Sequence, residues 1–270
     1  MAQVAFLETP DFHVEKESCN IHMPMMHYHH TFELYYLLRG EREYFIGDEF
    51  YKVTEGDVVF IPQRLLHRTA GRDVQRFLVY FSEAFLTRFF TPELMEGLPL
   101  DKPFVFRPDE EMGALINEEL ELMLRGFREG SAPQNEALLV TSLARLLLSL
   151  KEARNHYVPE FYTDRRIGQI VRYINEHYFE IEDIEQVAER FYISKYHLCR
   201  IFNKNLGLPL VAYLNTIKIR AAAELIQNEK LSLTDIATRC GFNSSSYFCK
   251  VFKNEKGVSP AAYRKQLKNR

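Results

Sequence analysis

Between Asp183 and Arg264 the apolar positions fall into one arrangement written twice. In the first copy Ile184, Val187 and Ala188 form a helical face. A turn at Tyr192-Ile193-Ser194 follows, then Leu198, Ile201 and Phe202, and the copy closes with Gly207 and Tyr213. In the second, Leu233, Ile236 and Ala237 precede the turn Cys240-Gly241-Phe242-Asn243, followed by Phe248, Val251, Phe252, Gly257 and Tyr263. The offset is 49 residues before the turn and 50 after it, so the second turn is one residue longer. Apolar recurrence at three and four on both sides of a short break predicts helix-turn-helix in each copy. Ser232-x-x-Asp235 predicts a capping box at the start of the second.

The rest of the chain follows two other periods. Residues 4–105 read as β structure: Phe32–Leu38, Arg42–Ile46, Glu49–Val53, Val58–Ile61 and Val74–Phe81 are rich in β-branched and aromatic residues and are separated by turn residues. Short strands punctuated in this way predict an antiparallel barrel or jelly roll. From about residue 106 the period becomes helical. Leu115, Ile116, Leu120, Met123, Leu124 and Phe127 form one stripe; Leu138, Leu139, Leu143, Leu146, Leu147 and Leu150 form the next after Gly130-Ser-Ala-Pro133. This predicts a helical hairpin over 106–153 with one stripe on the barrel. Apolar surface beyond that need makes it the expected homodimer contact. Pro159 breaks the pattern, and 154–163 reads as a linker. The expectation is thus an α+β two-domain chain: a barrel over 1–105, the hairpin, the linker, and an all-α domain over 164–270.

Charge sharpens the division. Residues 164–270 hold 18 Lys+Arg against 11 Asp+Glu, and residues 1–163 hold 16 against 26, so a net charge of −3 hides a basic half and an acidic half. The basic half carries the repeated helices, as contact with phosphate requires. At 100° per residue, burying the apolar positions leaves Tyr196, Cys199, Arg200 and Asn203 facing outward in the first copy. Ser246, Cys249, Lys250 and Lys253 face outward in the second. Such faces suit helices lying in the major groove of double-stranded DNA. The candidate DNA-binding residues are Lys195, Tyr196, Cys199, Arg200, Asn203, Lys204, Ser245, Ser246, Cys249, Lys250 and Lys253. Arg200 is the foremost, since a guanidinium can bind guanine bidentately. Lys195, Lys204, Lys253 and Asn254 are the expected phosphate contacts.

No stretch approaches 18 apolar residues, and MAQVAFLETPDF lacks a basic start and an apolar core, so neither a membrane span nor a signal peptide is expected. Four cysteines without CxxC spacing fit a reducing cytoplasm.

The run Ser194-Lys-Tyr-His-Leu-Cys-Arg-Ile-Phe202 resembles the first recognition helix of the AraC/XylS family of bacterial transcription regulators. The stretch from Ile236-Ala237 through Cys240-Gly-Phe242, Tyr247-Phe248 and Val251-Phe-Lys253 to Gly257-Val-Ser-Pro260 and Tyr263-Arg264 resembles that family's signature. Lys218-Ile219-Arg220 with Ala222 and Leu225 fits the helix that joins the two units, here about Leu210–Gln227. The resemblance covers roughly the last hundred residues. It implies a cytoplasmic regulator that binds DNA through two helix-turn-helix units and responds to a small-molecule effector, with RNA polymerase a further candidate partner.

A second resemblance lies in the β half. His27-x-His29-x-x-x-Glu33 with Gly40, and Gly56 with Pro62 and His67, are similar to the two cupin motifs; Arg64 and Gly71 depart from the second. His27, His29, Glu33 and His67 stand at the positions that hold metal in cupin enzymes. Three imidazoles and a carboxylate could hold a divalent first-row ion; alternatively they line a barrel mouth and hydrogen-bond one another. The expected effector pocket comprises His27, His29, Glu33, Tyr35, Tyr44 and His67, with Tyr36, Phe45, Tyr51 and Phe60 nearby, and suits a small polar ligand such as a sugar. No cofactor is required on this reading. The alternatives are a metal-dependent cupin enzyme and a metal-sensing regulator using the same four residues. His30 should face away from the cluster, and His13, His22, His156 and His177 belong to no constellation.

Overall fold

A computed structural model of the chain describes residues 4–19, 23–71, 73–130, 132–153, 165–227 and 230–268. Two compact units emerge, Ala5–Thr163 and one built on Asp164–Arg270. The expected linker at 154–163, His22 and His156 lie outside the described residues.

The first unit is two five-stranded sheets. One contains β1 (Ala5–Phe6), β3 (Met23–Tyr28), β8 (His67–Ala70), β5 (Glu41–Ile46) and β6 (Glu49–Thr54), in that spatial order. The other runs β10 (Phe104–Phe106), β7 (Val58–Ile61), β4 (Phe32–Arg39), β9 (Val74–Phe81) and β2 (Phe12–Cys19). Period-two alternation divides β4 between two cores. Tyr35 and Leu37 join Tyr44, Ile46, Tyr51, Val53, Val59 and Leu78 between the sheets. Phe32, Leu34 and Tyr36 point the other way, into a core shared with Phe60, Phe77 and the helices. Covering on both faces explains why β4 is almost uninterruptedly apolar. It also corrects the expected pocket lining: Tyr36 and Phe60 pack toward the helices, and Phe45 packs against Phe50 with the rings tilted and centroids 4.6 Å apart.

The hairpin is α3 (Glu110–Arg128) and α4 (Pro133–Ala153). Ile116, Leu120, Met123 and Leu124 from one helix and Leu143, Leu146, Leu147 and Leu150 from the other are buried on the outer sheet face. Each such side chain contributes about 1.5–3 kcal/mol of burial. Leu115, Leu138 and Leu139 are half-buried, whereas Phe127 and Leu148 stay exposed. Residues 82–103 are not the β structure expected there. They contain α1 (Glu83–Phe89) and α2 (Pro92–Glu96), each begun by a side-chain cap: Ser82 accepts from the Phe85 amide and Thr91 from the Leu94 amide. Capping, with Pro92 in the first turn, outweighs the β propensity of the local phenylalanines.

The second unit is all α. It starts with α5 (Arg165–His177), which buries Ile167, Ile170, Val171 and Ile174. Then come α6 (Ile184–Arg190), α7 (Lys195–Leu206), α8 (Leu210–Leu225), α9 (Leu233–Arg239), α10 (Ser245–Lys256) and α11 (Pro260–Lys268). The joining helix α8 is therefore two residues shorter than expected.

Candidate functional site

Each repeat folds as two helices around a buried small residue, Ala188 or Ala237. Asp183 caps α6 through the Gln186 amide, and Ser232 with Asp235 forms the reciprocal capping box on α9. The turns hold four residues, 191–194, and five, 240–244. Ser194 and Ser244 then cap α7 and α10, so both second helices begin with a fixed entry angle. Leu198 and Phe202 in one, and Phe248, Val251 and Phe252 in the other, are buried; Ile201 is half-buried.

The opposite faces are open. Lys195, Tyr196, Arg200, Asn203 and Lys204 on α7 are exposed, and Cys199 is half-buried. On α10, Ser245, Ser246, Cys249, Lys250, Lys253 and Asn254 are all exposed. The Lys195 ammonium already donates to both Glu185 carboxylate oxygens at 2.7 and 2.8 Å, and this contact raises its pKa. Arg200 lies 3.3 Å from His197 Nδ1 through one guanidinium nitrogen. Hydrogen-bond donors and cations thus occupy equivalent positions on the two helices, with a tyrosine added on the first.

In the first unit of the chain, His27 and His67 are directly paired across β3 and β8, and Glu33 comes from the other sheet. The fold therefore gathers residues far apart in sequence at one end of the sandwich. Ligand atoms of His29, Glu33 and His67 lie within 4.8 Å of one another, and all three residues are buried. His27 is buried too, its ring 4.1 Å from that of His67, but it is not in that group of three. His30 is exposed, as expected. His13 pairs with Glu15 and His177 with Glu180, and neither belongs to that group of three.

Hydrogen bonding fixes the tautomers. Nδ1 of His27, His29 and His67 lies 3.0, 2.8 and 2.9 Å from the carbonyl oxygens of Met25, Thr31 and Leu65. A carbonyl only accepts, so each Nδ1 carries the proton. The Nε2 atoms of His29 and His67 then face Glu33 Oε2 at 3.0 and 3.5 Å. Lone pairs facing a carboxylate at these distances call for an added proton or a cation between them. Burial pushes the Glu33 carboxyl up, but the His29 and His67 side chains that face it more than offset this and hold it well below the usual range. Burial and the neighbouring His67 lower His27 to about 4, so it is neutral at pH 7.

Sequence reasoning missed Tyr80. It pairs with Glu33 across β4 and β9, and its ring lies 5.1 Å from His29. Burial, then the Glu33 charge, pushes its phenol up. The alternation of Val74–Phe81 carried that signal, since it puts Tyr80 on the face of Leu78. Tyr35 and Tyr44 are fully buried and meet edge to face at 5.5 Å. The buried Arg42 donates to Thr69 Oγ1 at 3.0 Å. A cleft of about 750 Å³ opens elsewhere in this unit, lined by Phe32, Met95, Leu98, Leu100 and Lys151 among others. The departures from the second cupin motif have distinct backbones: Arg64 sits at φ 60°, in the left-handed region that favours glycine. At Gly71 a Cβ would lie 2.8 Å from the Glu41 carbonyl oxygen, so glycine is needed there.

Among the described residues no helix is long and apolar enough to cross a membrane. The family described as AraC-like ligand binding domain matches residues 15–147, and a helix-turn-helix domain family matches 187–266. The regulatory protein PocR of Salmonella typhimurium is 36% identical over 104 residues, covering 38% of this chain but only 34% of that protein. An uncharacterised HTH-type transcriptional regulator of Bacillus subtilis, YfiF, is 27% identical over 93% of this chain and 82% of its own length. The HTH-type transcriptional activator RhaS of Salmonella schwarzengrund is 27% identical over 88% of this chain and 86% of its own. With a sandwich that matches the ligand-binding domain and a helical unit that matches the DNA-binding one, the chain belongs to the AraC family of helix-turn-helix transcriptional regulators.

Proposed function

We propose that α7 and α10 enter successive major grooves on one face of a duplex, with their contact regions about 10 bp apart. The observation that carries this reading is the pair of exposed, donor-rich and cationic faces at equivalent positions of the two repeats. Tyr196, Cys199, Arg200, Ser246, Cys249 and Lys250 reach base edges; Asn203 and Ser245 flank them. Lys204, Lys253 and Asn254 hold phosphates. Lys195 does so by exchanging its exposed Glu185 partner for a phosphate. Incubating the purified chain with a random duplex library tests this. The expected result is a two-part motif whose affinity falls steeply with salt, because phosphate contacts release counterions. Salt-insensitive binding, or no enrichment, would refute it.

The sandwich is proposed to bind a small polar effector, a sugar among the candidates, where His27, His29, Glu33 and His67 meet Tyr35, Tyr44 and Tyr80. Its binding would favour one of two arrangements of the chain in the cytoplasm. A thermal-shift screen of metabolites is the test, since an effector raises stability by mass action. The exposed Phe127 and Leu148 support a homodimer through the hairpin, and ultracentrifugation at several concentrations tests it. RNA polymerase remains a proposed further partner. We read the chain as a regulator and not as a metal-dependent enzyme, because both helix-turn-helix units are present with exposed, donor-rich faces.

One observation favours a second reading of the sandwich. Histidines that ligate metal usually donate their other ring N–H to a carbonyl or carboxylate, and His29 and His67 both do so. His29, Glu33 and His67, with His27 adjoining, would then hold a divalent first-row ion, a Lewis acid able to anchor an oxygen ligand. Calorimetric titration with manganese, nickel and zinc should give one ion per chain, lost in Glu33→Ala and His67→Ala. Absence of heat with every ion would dispose of this reading.

A further inference from the structure

Lys218 lies in the middle of α8, the helix that joins the two repeats, and is 5% exposed. Its ammonium donates to the Ile181 carbonyl oxygen at 2.8 Å and to the Gly241 carbonyl oxygen at 2.6 Å. Ile181 belongs to the loop entering the first helix-turn-helix, and Gly241 to the turn inside the second. The same ammonium sits 5.6 Å from the Phe242 ring centroid. One side chain thus grips backbone on both sides of the spacer.

A buried cation is an unusual choice for holding two segments together, because desolvation opposes it. Burial accordingly pulls the Lys218 ammonium below the ordinary lysine range. No ion pair to it is found among the described residues. Its buried neighbour Cys240 is no counter-ion either, since burial pushes that thiol up to about 11. Two carbonyls and an aromatic face meet the charge directly, with the Glu182 carboxylate acting on it at longer range. If either carbonyl swings away, an under-solvated ammonium is left behind, which is costly. That asymmetry makes the contact a stiff link. A hydrophobic side chain of similar length would fill the space without penalising a change in angle.

The spacing of the repeats adds a second constraint. Gly241 has φ 74°, and a Cβ there would lie 2.6 Å from the Phe179 carbonyl oxygen. The turn of the second repeat is therefore pressed against the chain that leads into the first, beside the Lys218 contact. Farther along, the Asn215 amide donates to the Tyr247 hydroxyl at 3.1 Å, tying α8 to α10 itself.

We propose that Lys218 is a positioning residue for DNA reading: it fixes the separation and angle between α7 and α10 so that both fit one duplex together. The inference rests on the groove-entry reading above. It does not require Lys218 to touch DNA; the residue acts through the two carbonyls it holds.

The experiment uses the full chain in two measurements. In a Cys19→Ser background, spin labels on Cys199 and Cys249 report the distance between the two recognition helices by pulsed dipolar spectroscopy. A single narrow distribution is expected with Lys218 present. Lys218→Met should broaden it into several distances, and Lys218→Arg, which keeps charge and donors, should restore most of the narrowing. The second measurement is the duplex selection. Wild-type protein should enrich a two-part motif at one spacing. Lys218→Met should enrich the same half-motifs at several spacings, with about tenfold weaker binding to the two-part duplex and nearly unchanged binding to either half alone, as expected when effective concentration is lost. Lys218→Gln, which keeps an N–H donor group but not the charge, gives intermediate broadening and covers the case where Lys218→Met does not fold. An unchanged distance distribution and an unchanged single spacing in the Met or Gln variant would overturn the proposal. If wild-type protein enriches no motif, the groove reading fails, and the label distances alone decide whether Lys218 sets the geometry.

Discussion

The two helix-turn-helix repeats share their buried positions almost residue for residue and differ where the helices turn. In the first, the left-handed position is filled by Tyr192, φ 54° and 93% exposed. In the second, 49 residues on, it is filled by Gly241, φ 74°, with the Phe179 backbone against it and Lys218 on its carbonyl. A tyrosine can bear the strained conformation of the first turn because its side chain stands in solvent. The second turn has no room for one. The same backbone turn is thus tolerant where it faces solvent and exacting where it meets the neighbouring repeat. Helix packing sets the repeat, and the surroundings of the turn decide which residue it will accept.

Substitutions can break or sharpen this contrast. The largest effect is expected from Gly241→Ala. The left-handed backbone costs an alanine about 1–2 kcal/mol, and displacing Phe179 adds about 1–3 kcal/mol. Thermal unfolding of the full chain should show loss of the second unit's stability; an unchanged melt would mean that the turn relaxes freely. Next come Arg200→Ala and Lys250→Ala, at equivalent positions of α7 and α10. If each reads a base, each costs about 1–3 kcal/mol of DNA affinity and relaxes selectivity at a position in its own half-site only. Uniform loss over all sequences would identify a phosphate contact instead. The smallest effect is expected from Tyr192→Gly. Relief of the left-handed strain, about 1–2 kcal/mol, is partly offset by glycine's greater freedom when unfolded, about 0.5–1 kcal/mol. A small rise in melting temperature is therefore expected, and a fall would show that the exposed ring has a contact of its own.

Much of this was legible in the sequence because it rests on local periodicity. Period 3.6 marked the stripes of the hairpin and both repeats, and the one-residue difference between their turns could be counted. Caps are legible where an apolar helical period follows them, as at Ser232-x-x-Asp235. The same signal at Ser82 and at Thr91-Pro92 is masked by the β propensity of the phenylalanines around it. Strand β3 also went unassigned although it carries His27, because Met23–Tyr28 alternates poorly. In the cluster, the spacing of His27, His29 and Glu33 marked candidates, but it could not mark Tyr80, whose partner Glu33 is 47 positions earlier.

The sequence by itself determined which positions are buried along each helix, where the repeats lie, and how charge divides between the halves, since all three follow from the order of side chains along a single element. The tertiary structure alone decided that β4 serves two cores, that two histidines present lone pairs to one carboxylate, and that Lys218 spans both repeats. Those facts depend on which distant segments become neighbours. A carbonyl oxygen accepts in the same way from any donor, so nothing in residue identity announces that Ile181 and Gly241 will meet one ammonium.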